Sequence, residues 1–245
     1  MIIYNPYQKN IYNIFKKIIY HICYIYMSII KDIPSVKGFY INLDERESRN
    51  NTTKLLLKKL KLKDIERFSA IKNVSGLVGC YLSHIGCLKL ARDRGYNRCI
   101  IFEDDITCKN IKKSSKMIKD IYFNNVLDYD VFMPGCWYYD SNGYNTIPNT
   151  NILKINKAVC LHSYIVDKKY YDTFINHLKE GLKLYLENEC NDGQYNNDEY
   201  LGLLQARDNW YSYNTILISQ YNGYSDNFKE HRDYQSIIYN IPGLT

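Results

Sequence analysis

The stretch Arg98-Cys99-Ile100-Ile101-Phe102-Glu103-Asp104-Asp105 decides the fold. Gly95 closes a helical pattern just before it, and a short apolar run then reads as a buried strand. Three carboxylates follow at once. Like charges crowded at a strand's end are costly unless a cation or strong donors compensate. In an open α/β sheet, the carboxyl ends of the strands are also where ligands gather. In strand-like backbone Glu103 and Asp105 point to one side and Asp104 to the other. Hard carboxylate oxygens suit Mg²⁺ or Mn²⁺, which keep waters and take further ligands from substrate phosphates. The plain alternative is an acidic loop whose carboxylates cap the next helix or pair with Lys109 and Lys112.

Outward from this stretch, short apolar runs alternate with helical patterns. Gly38 to Leu43 reads as a strand, Ser48 to Leu62 as a helix and Ile65 to Ile71 as a second strand. Ser75 is a fitting N-cap for a helix to about Arg94, with Leu77, Tyr81, Ile85 and Leu88 on one face. A helix from Lys112 to Val126 and a strand from Tyr129 to Met133 come next. Beyond Pro134-Gly135 a loop from Asp140 to Asn151 is expected, then a strand from Ala158 to Val166 and a helix from Lys168 to Leu186. A polar loop from Asn188 to Asn197, a short helix from Asp198 to Gln205 and a strand from Trp210 to Ile218 complete the chain. This alternation predicts an α/β fold, a single Rossmann-like domain over residues 35–245 with a mostly parallel sheet.

The 46% hydrophobic and 24% charged fractions of the 245 residues are those of a folded protein. Twenty-six tyrosines, with abundant Ile, Asn and Lys, fit the coding bias of an AT-rich genome, such as that of a large virus or an intracellular parasite. A net charge of +6 without a nucleic-acid motif argues against nucleic-acid binding, and mildly favours a diphosphate ligand. The eight cysteines (Cys23, Cys80, Cys87, Cys99, Cys108, Cys136, Cys160, Cys190) show neither a CxxC pair nor zinc spacing. They read as free thiols of a reducing compartment, the cytoplasm, which leaves the sequons at Asn50, Asn51 and Asn73 without weight. Residues 1–34 form an N-terminal extension. Its apolar run from Ile18 to Ile30 falls short of the ~20 residues that a spanning helix needs. A helix packed on the domain is the expected structure. The second reading is peripheral membrane contact through residues 10–31.

Tyr40-Ile41-Asn42-Leu43-Asp44-Glu45-Arg46-Glu47-Ser48-Arg49 resembles the opening block of glycosyltransferase family 25, the family of lipooligosaccharide and collagen hydroxylysine galactosyltransferases. Arg67-Phe68-Ser69-Ala70-Ile71 and Gly79-Cys80-Tyr81-Leu82-Ser83-His84 look like its second and third blocks. Ile101-Phe102-Glu103-Asp104-Asp105-Ile106 is similar to its acidic, DxD-type motif. Tyr129-Asp130-Val131-Phe132 with Gly135 resembles the strand after it. The blocks come in order and cover residues 37–136. The resemblance implies a GT-A fold, a UDP-hexose donor (galactose or glucose), Mn²⁺ or Mg²⁺ and an inverting displacement. It puts Tyr40 and Asn42 near the nucleotide, Arg46 or Arg49 at the diphosphate, and Ser83 or His84 on the donor-site wall. Asp105 comes first and Glu103 second as metal contacts, with Asp104 beside them. Guanidinium groups match phosphate oxygens, so the arginines fit that role; otherwise they are solvated charges at a helix start.

Inversion needs a group that takes the acceptor hydroxyl's proton. Asp140, Asp192, Asp198 and Glu199 lie in polar sequence after the acidic motif. The family often opens a late short helix with an Asp, which selects Asp198, although Asn196-Asn197 precedes it where a Pro-Val-like pair is usual. A plain helix N-cap is the competing role. Trp137, Tyr138 and Tyr139 offer faces for a sugar ring or belong to ordinary core. His231 is a candidate third metal ligand. The acceptor is a hydroxyl of a glycan, glycolipid or protein. Two other classes fit the same cleft: an inactive sugar-nucleotide-binding relative, and a metal-dependent phosphoester hydrolase. The second needs a two-metal ligand set that five scattered histidines do not supply.

Overall fold

A computed structural model describes residues 16–21, 34–138, 141–189, 193–225 and 230–234. The chain falls into two compact units, Met1–Ser35 and Val36–Thr245. In the first, residues 16–21 are helical and exposed, while most of the Ile18 to Ile30 run lies outside the described residues. No helix among the described residues is long and apolar enough to cross a membrane.

The second unit begins β1 (Lys37–Asn42), α1 (Glu47–Lys59), β2 (Asp64–Ser69), α2 (Gly76–Asp93) and β3 (Arg98–Glu103). It continues β4 (Ile106–Thr107), α3 (Ile111–Tyr122), β5 (Val131–Met133), β6 (Tyr144–Thr146), β7 (Ile152–Ile155), β8 (Ser163–Asp167) and α4 (Tyr171–Glu187). The last elements are α5 (Asn197–Tyr200), α6 (Gly202–Arg207), β9 (Trp210–Tyr213), β10 (Ser219–Gln220), β11 (Gly223–Ser225) and β12 (Glu230–Arg232). Eight strands form one sheet in the order β2-β1-β3-β8-β5-β9-β7-β6. β1 pairs parallel with β2 and β3, and β5 parallel with β9. β8 enters between β3 and β5 antiparallel to both, and β7 runs antiparallel to β9 and β6. All strands of the sheet except β8 and β7 therefore point one way, which keeps the α/β architecture expected from the sequence.

The four middle residues of β3 are apolar because both faces of the strand are buried. Cys99 and Ile101 join a core that includes Tyr81, Ile85 and Leu88 of α2 and Phe174 and Leu178 of α4. Ile100 and Phe102 join a second core with Leu57 of α1 and Ile118 of α3. The side chains alternate across the sheet, and helices cover both faces. Ser75 caps α2, accepting from the Val78 amide. The close spacing of β1 and β3 is built in at Gly38, where a Cβ would stand 1.9 Å from the Ile100 carbonyl oxygen.

Several elements differ from the sequence-based expectation. α3 ends at Tyr122 because the Asn124 side chain accepts from the Val126 and Leu127 amides, a local turn that replaces the next helical bonds. The expected 158–166 strand starts at Ser163, since Cys160 stands at φ 72 and breaks the extended chain. Ahead of it only Val159 bridges, to Trp137. The Asn-rich 140–151 stretch contains β6, paired to β7. The expected 198–205 helix is two short helices meeting at Leu201.

Candidate functional site

The carboxyl ends of β1 and β3 open into a cleft of about 530 Å³. α2 forms one wall, the α1 entry a second, and residues 159–161 with 196–199 a third. Glu103 ends β3, and Asp104 and Asp105 occupy the turn between β3 and β4.

The three carboxylates separate by environment. Asp104 is turned back into the scaffold: Asn42 Nδ2 donates to it at 2.6 Å, and Arg49 at 3.1 Å. Its carbonyl oxygen accepts from Thr53 Oγ1 at 2.9 Å, tying the turn to α1. Burial raises the Asp104 pKa, opposed by Asn42 and Arg49. Glu103 and Asp105 instead share a neighbour, Gln220, whose Nε2 lies 3.5 Å from Glu103 Oε2 and 3.3 Å from Asp105 Oδ1. Burial, then the Glu103 charge, pushes the Asp105 carboxyl up to about 7. Burial acts on Glu103 too, but His84, His162 and Arg49 outweigh it and hold that group below its ordinary value. Of the two, Glu103 ionises more readily and Asp105 holds its proton to higher pH. The next helix is capped by Asn110, not by the triplet.

Among the described residues, buried polar atoms without a hydrogen-bond partner converge here: His84 Nε2 and Gln220 Oε1. Polar atoms orphaned beside two carboxylates are the chemistry a cation would satisfy. Gln220 reaches the cluster through the β10–β4 pairing, where it registers with Ile106. No local sequence signal marks it.

Asn42 is a buried junction. It holds Asp104, donates to the Arg46 carbonyl oxygen, and accepts from Arg67 Nε at 2.8 Å. Arg49 extends from α1 over the triplet, 3.1 Å from Asp104 and 3.5 Å from Asp105, with its guanidinium above the Tyr221 ring. Arg46, at the start of α1, also lines the cleft. Tyr40 is buried among the residues of the α1 and α3 core, its hydroxyl donating to Asn50 Oδ1 at 2.7 Å. It is not a lining residue.

On α2, Ser83 lines the cleft while its hydroxyl donates to the Gly79 carbonyl oxygen and accepts from the Ile71 amide. His84 is buried, with Nδ1 2.7 Å from the Tyr164 hydroxyl and Nε2 3.4 Å from Glu103 Oε1. The Glu103 approach is an electrostatic contact and not an aligned hydrogen bond. Cys80 stands one helical turn before His84, and one ligand atom from each of Cys80, His84 and Glu103 lies within 4.8 Å of the others. The cysteine pattern shows no zinc spacing in sequence, yet folding assembles this mixed donor set.

Across the cleft Asp198 is half-buried, with Oδ2 accepting from the Cys160 amide at 3.1 Å and Oδ1 from the Glu199 amide at 3.1 Å. Burial raises its pKa against those donors, and the Glu199 and Glu103 charges add to the rise. Glu199 pairs with Lys157 at 3.2 Å. Trp137 lines the cleft, whereas Tyr138 is core. Tyr139, Asp140 and Asp192 lie outside the described residues. His231 is exposed on β12 and does not line the cleft, but its neighbour Arg232 does.

No curated protein matches the chain. Among solved structures, a glycosyltransferase involved in the glycosylation of the major capsid of PBCV-1 matches with a TM-score of 0.50 and 8% identity. That match spans 78% of this chain and 95% of the other. The glycosyltransferase GlyE of Streptococcus pneumoniae TIGR4 matches with a TM-score of 0.40 and 10% identity, over 73% of this chain and 38% of its own. The first likeness bears on the fold, which is GT-A-like. The family model for glycosyltransferase family 25 (LPS biosynthesis protein) matches residues 51–190, more than half of the 245, and the chain belongs to that family.

Proposed function

We propose that this transferase moves a hexose, galactose or glucose, from a UDP-sugar to a hydroxyl of a glycan, glycolipid or protein, with inversion and with Mn²⁺ or Mg²⁺. The observation that carries this reading is the pairing of Glu103 and Asp105 beside orphaned polar atoms at the sheet's carboxyl edge. Those two carboxylates are the residues that would hold the ion. Bound there, the ion would supply Lewis-acid stabilisation of the charge that develops on the departing diphosphate.

The chain's own groups account for the rest. Arg49, with Arg46 beside it, offers guanidinium donors to phosphate oxygens. Asn42 and Asp104 set the height of the cleft floor on which the donor would rest. Asp198 is the proposed base. Its carboxylate is fixed by two backbone amides, and a raised pKa makes it a better proton acceptor than a solvated Asp. Trp137 stands on the same side and gives an acceptor sugar a flat apolar face. No nucleic-acid partner is proposed.

The test is a panel of UDP-sugars incubated with the protein and Mn²⁺, with UDP release followed with and without candidate hydroxyl acceptors. Release from UDP-galactose or UDP-glucose that accelerates with an acceptor supports the reading. Binding of UDP-sugars without release under every acceptor tried points to an inactive relative. Release of inorganic phosphate from phosphoesters points to a hydrolase.

A further inference from the structure

We infer that Cys80, His84 and Glu103 form a binding site for a thiophilic divalent cation of the zinc class, distinct in chemistry from the hard-metal site at Glu103 and Asp105.

Cys80 and His84 are four residues apart on α2, so their side chains leave the helix on one face, one turn apart. The face they share looks onto the end of β3, where Glu103 supplies a carboxylate oxygen. Tetrahedral zinc with bonds of ~2.0–2.3 Å holds its ligand atoms roughly 3.3–3.6 Å apart. The His84 Nε2 to Glu103 Oε1 separation of 3.4 Å falls there, and the whole set lies within 4.8 Å.

Two further observations point to a ligand. His84 is 1% exposed, and its Nε2 makes no hydrogen bond among the described residues although it faces Glu103. Its other ring nitrogen is engaged by the Tyr164 hydroxyl at 2.7 Å. In the metal-bound state Nδ1–H donates to that hydroxyl, which frees the Nε2 lone pair for a cation held between it and the Glu103 carboxylate. A hydrogen bond from the second ring nitrogen is how proteins orient a metal-ligating His. The thiol is also held in place, since Asn197 Nδ2 donates to Cys80 Sγ at 3.1 Å. Nitrogen, sulfur and a single carboxylate oxygen are a zinc-type set, whereas Mg²⁺ and Mn²⁺ favour oxygen. Three protein ligands leave the fourth position to water or to a ligand in the cleft. Binding displaces the Cys80 proton to solvent, so affinity rises with pH.

Glu103 belongs to both sites. Zinc there therefore competes with the hard ion of the proposed transfer reaction, and only this consequence rests on that reading.

The test uses the full chain and Zn²⁺ alone, without sugar nucleotide, so that its outcome is independent of transfer. X-ray absorption at the zinc edge should show one sulfur neighbour with nitrogen or oxygen completing the shell. Calorimetry should give one site, weakened ~100-fold or more in Cys80→Ser and in His84→Ala, while Asp105→Asn retains the sulfur-containing shell. Circular dichroism checks that each variant is folded; should Cys80→Ser fail to fold, the sulfur neighbour in the wild-type spectrum decides. A shell of oxygen and nitrogen alone, no saturable zinc binding, or a sulfur neighbour that persists in folded Cys80→Ser would overturn the assignment.

Discussion

Asn42 donates to Asp104 at 2.6 Å, so the middle carboxylate of the acidic triplet is bound to the first strand. That bond fixes the turn from which Glu103 and Asp105 face the cleft. Asn42→Ala removes it along with one of the acceptors of Arg67, and leaves Asp104 with Arg49. The expected cost is ~1–3 kcal/mol of stability, read from the shift in urea midpoint at constant slope. An unchanged midpoint would remove Asn42 from the scaffold's supports.

Asp105, the proposed metal ligand, sits where its charge opposes stability. Its carboxyl stands at about 7 in the folded protein against an ordinary 3.8, chiefly because it is buried. The folded state thus holds the proton more tightly than the unfolded chain, and folding stability falls as pH rises from about 4 through about 7. Asp105→Asn takes away that fall. The metal-free variant should be more stable than wild type by up to ~4 kcal/mol at pH 8 and equal to it at pH 4. Denaturation midpoints at the two pH values check this, and a variant less stable at pH 8 contradicts it.

Asp198→Asn should lower turnover by ~10²–10⁴-fold while donor affinity stays within a few-fold. The amide keeps an oxygen for one of the two backbone donors, so the segment should stay folded. Equal losses in turnover and in UDP-sugar affinity would make Asp198 a structural cap and not a base.

Gly135 follows β5 where a Cβ would stand 1.7 Å from the Ile218 carbonyl oxygen. Gly135→Ala must push residue 218 aside, and with it Gln220 two residues on. Overpacking of this kind costs ~1–3 kcal/mol, and the variant should also lose part of its affinity for Mn²⁺. Wild-type Mn²⁺ affinity in a destabilised variant would separate β10 from the metal site.

Much of the fold was legible because its signals are local. The Ile100-Ile101-Phe102 run marks β3, Ser75 caps α2, and the order of short apolar runs and helical patterns names the α/β class. The antiparallel entry of β8 between β3 and β5 was not legible, since strand order depends on contacts distant in sequence. The site divides in the same way. The triplet and Arg49 stand out in sequence and meet in space, whereas Gln220 arrives through a two-residue strand with no motif of its own. Cys80 and His84 could have been read as a pair on one helical face. Their third partner, on a different element, comes only with the fold.

In the proposed function Glu103 and Asp105 bind the cation that holds the donor's diphosphate. Calorimetric titration of UDP into the protein, with and without Mn²⁺, tests it most directly. UDP affinity should rise at least tenfold with Mn²⁺, about 1.4 kcal/mol, and that gain should vanish in folded Asp105→Asn. UDP affinity indifferent to Mn²⁺, or a full Mn²⁺ gain in Asp105→Asn, would contradict the account.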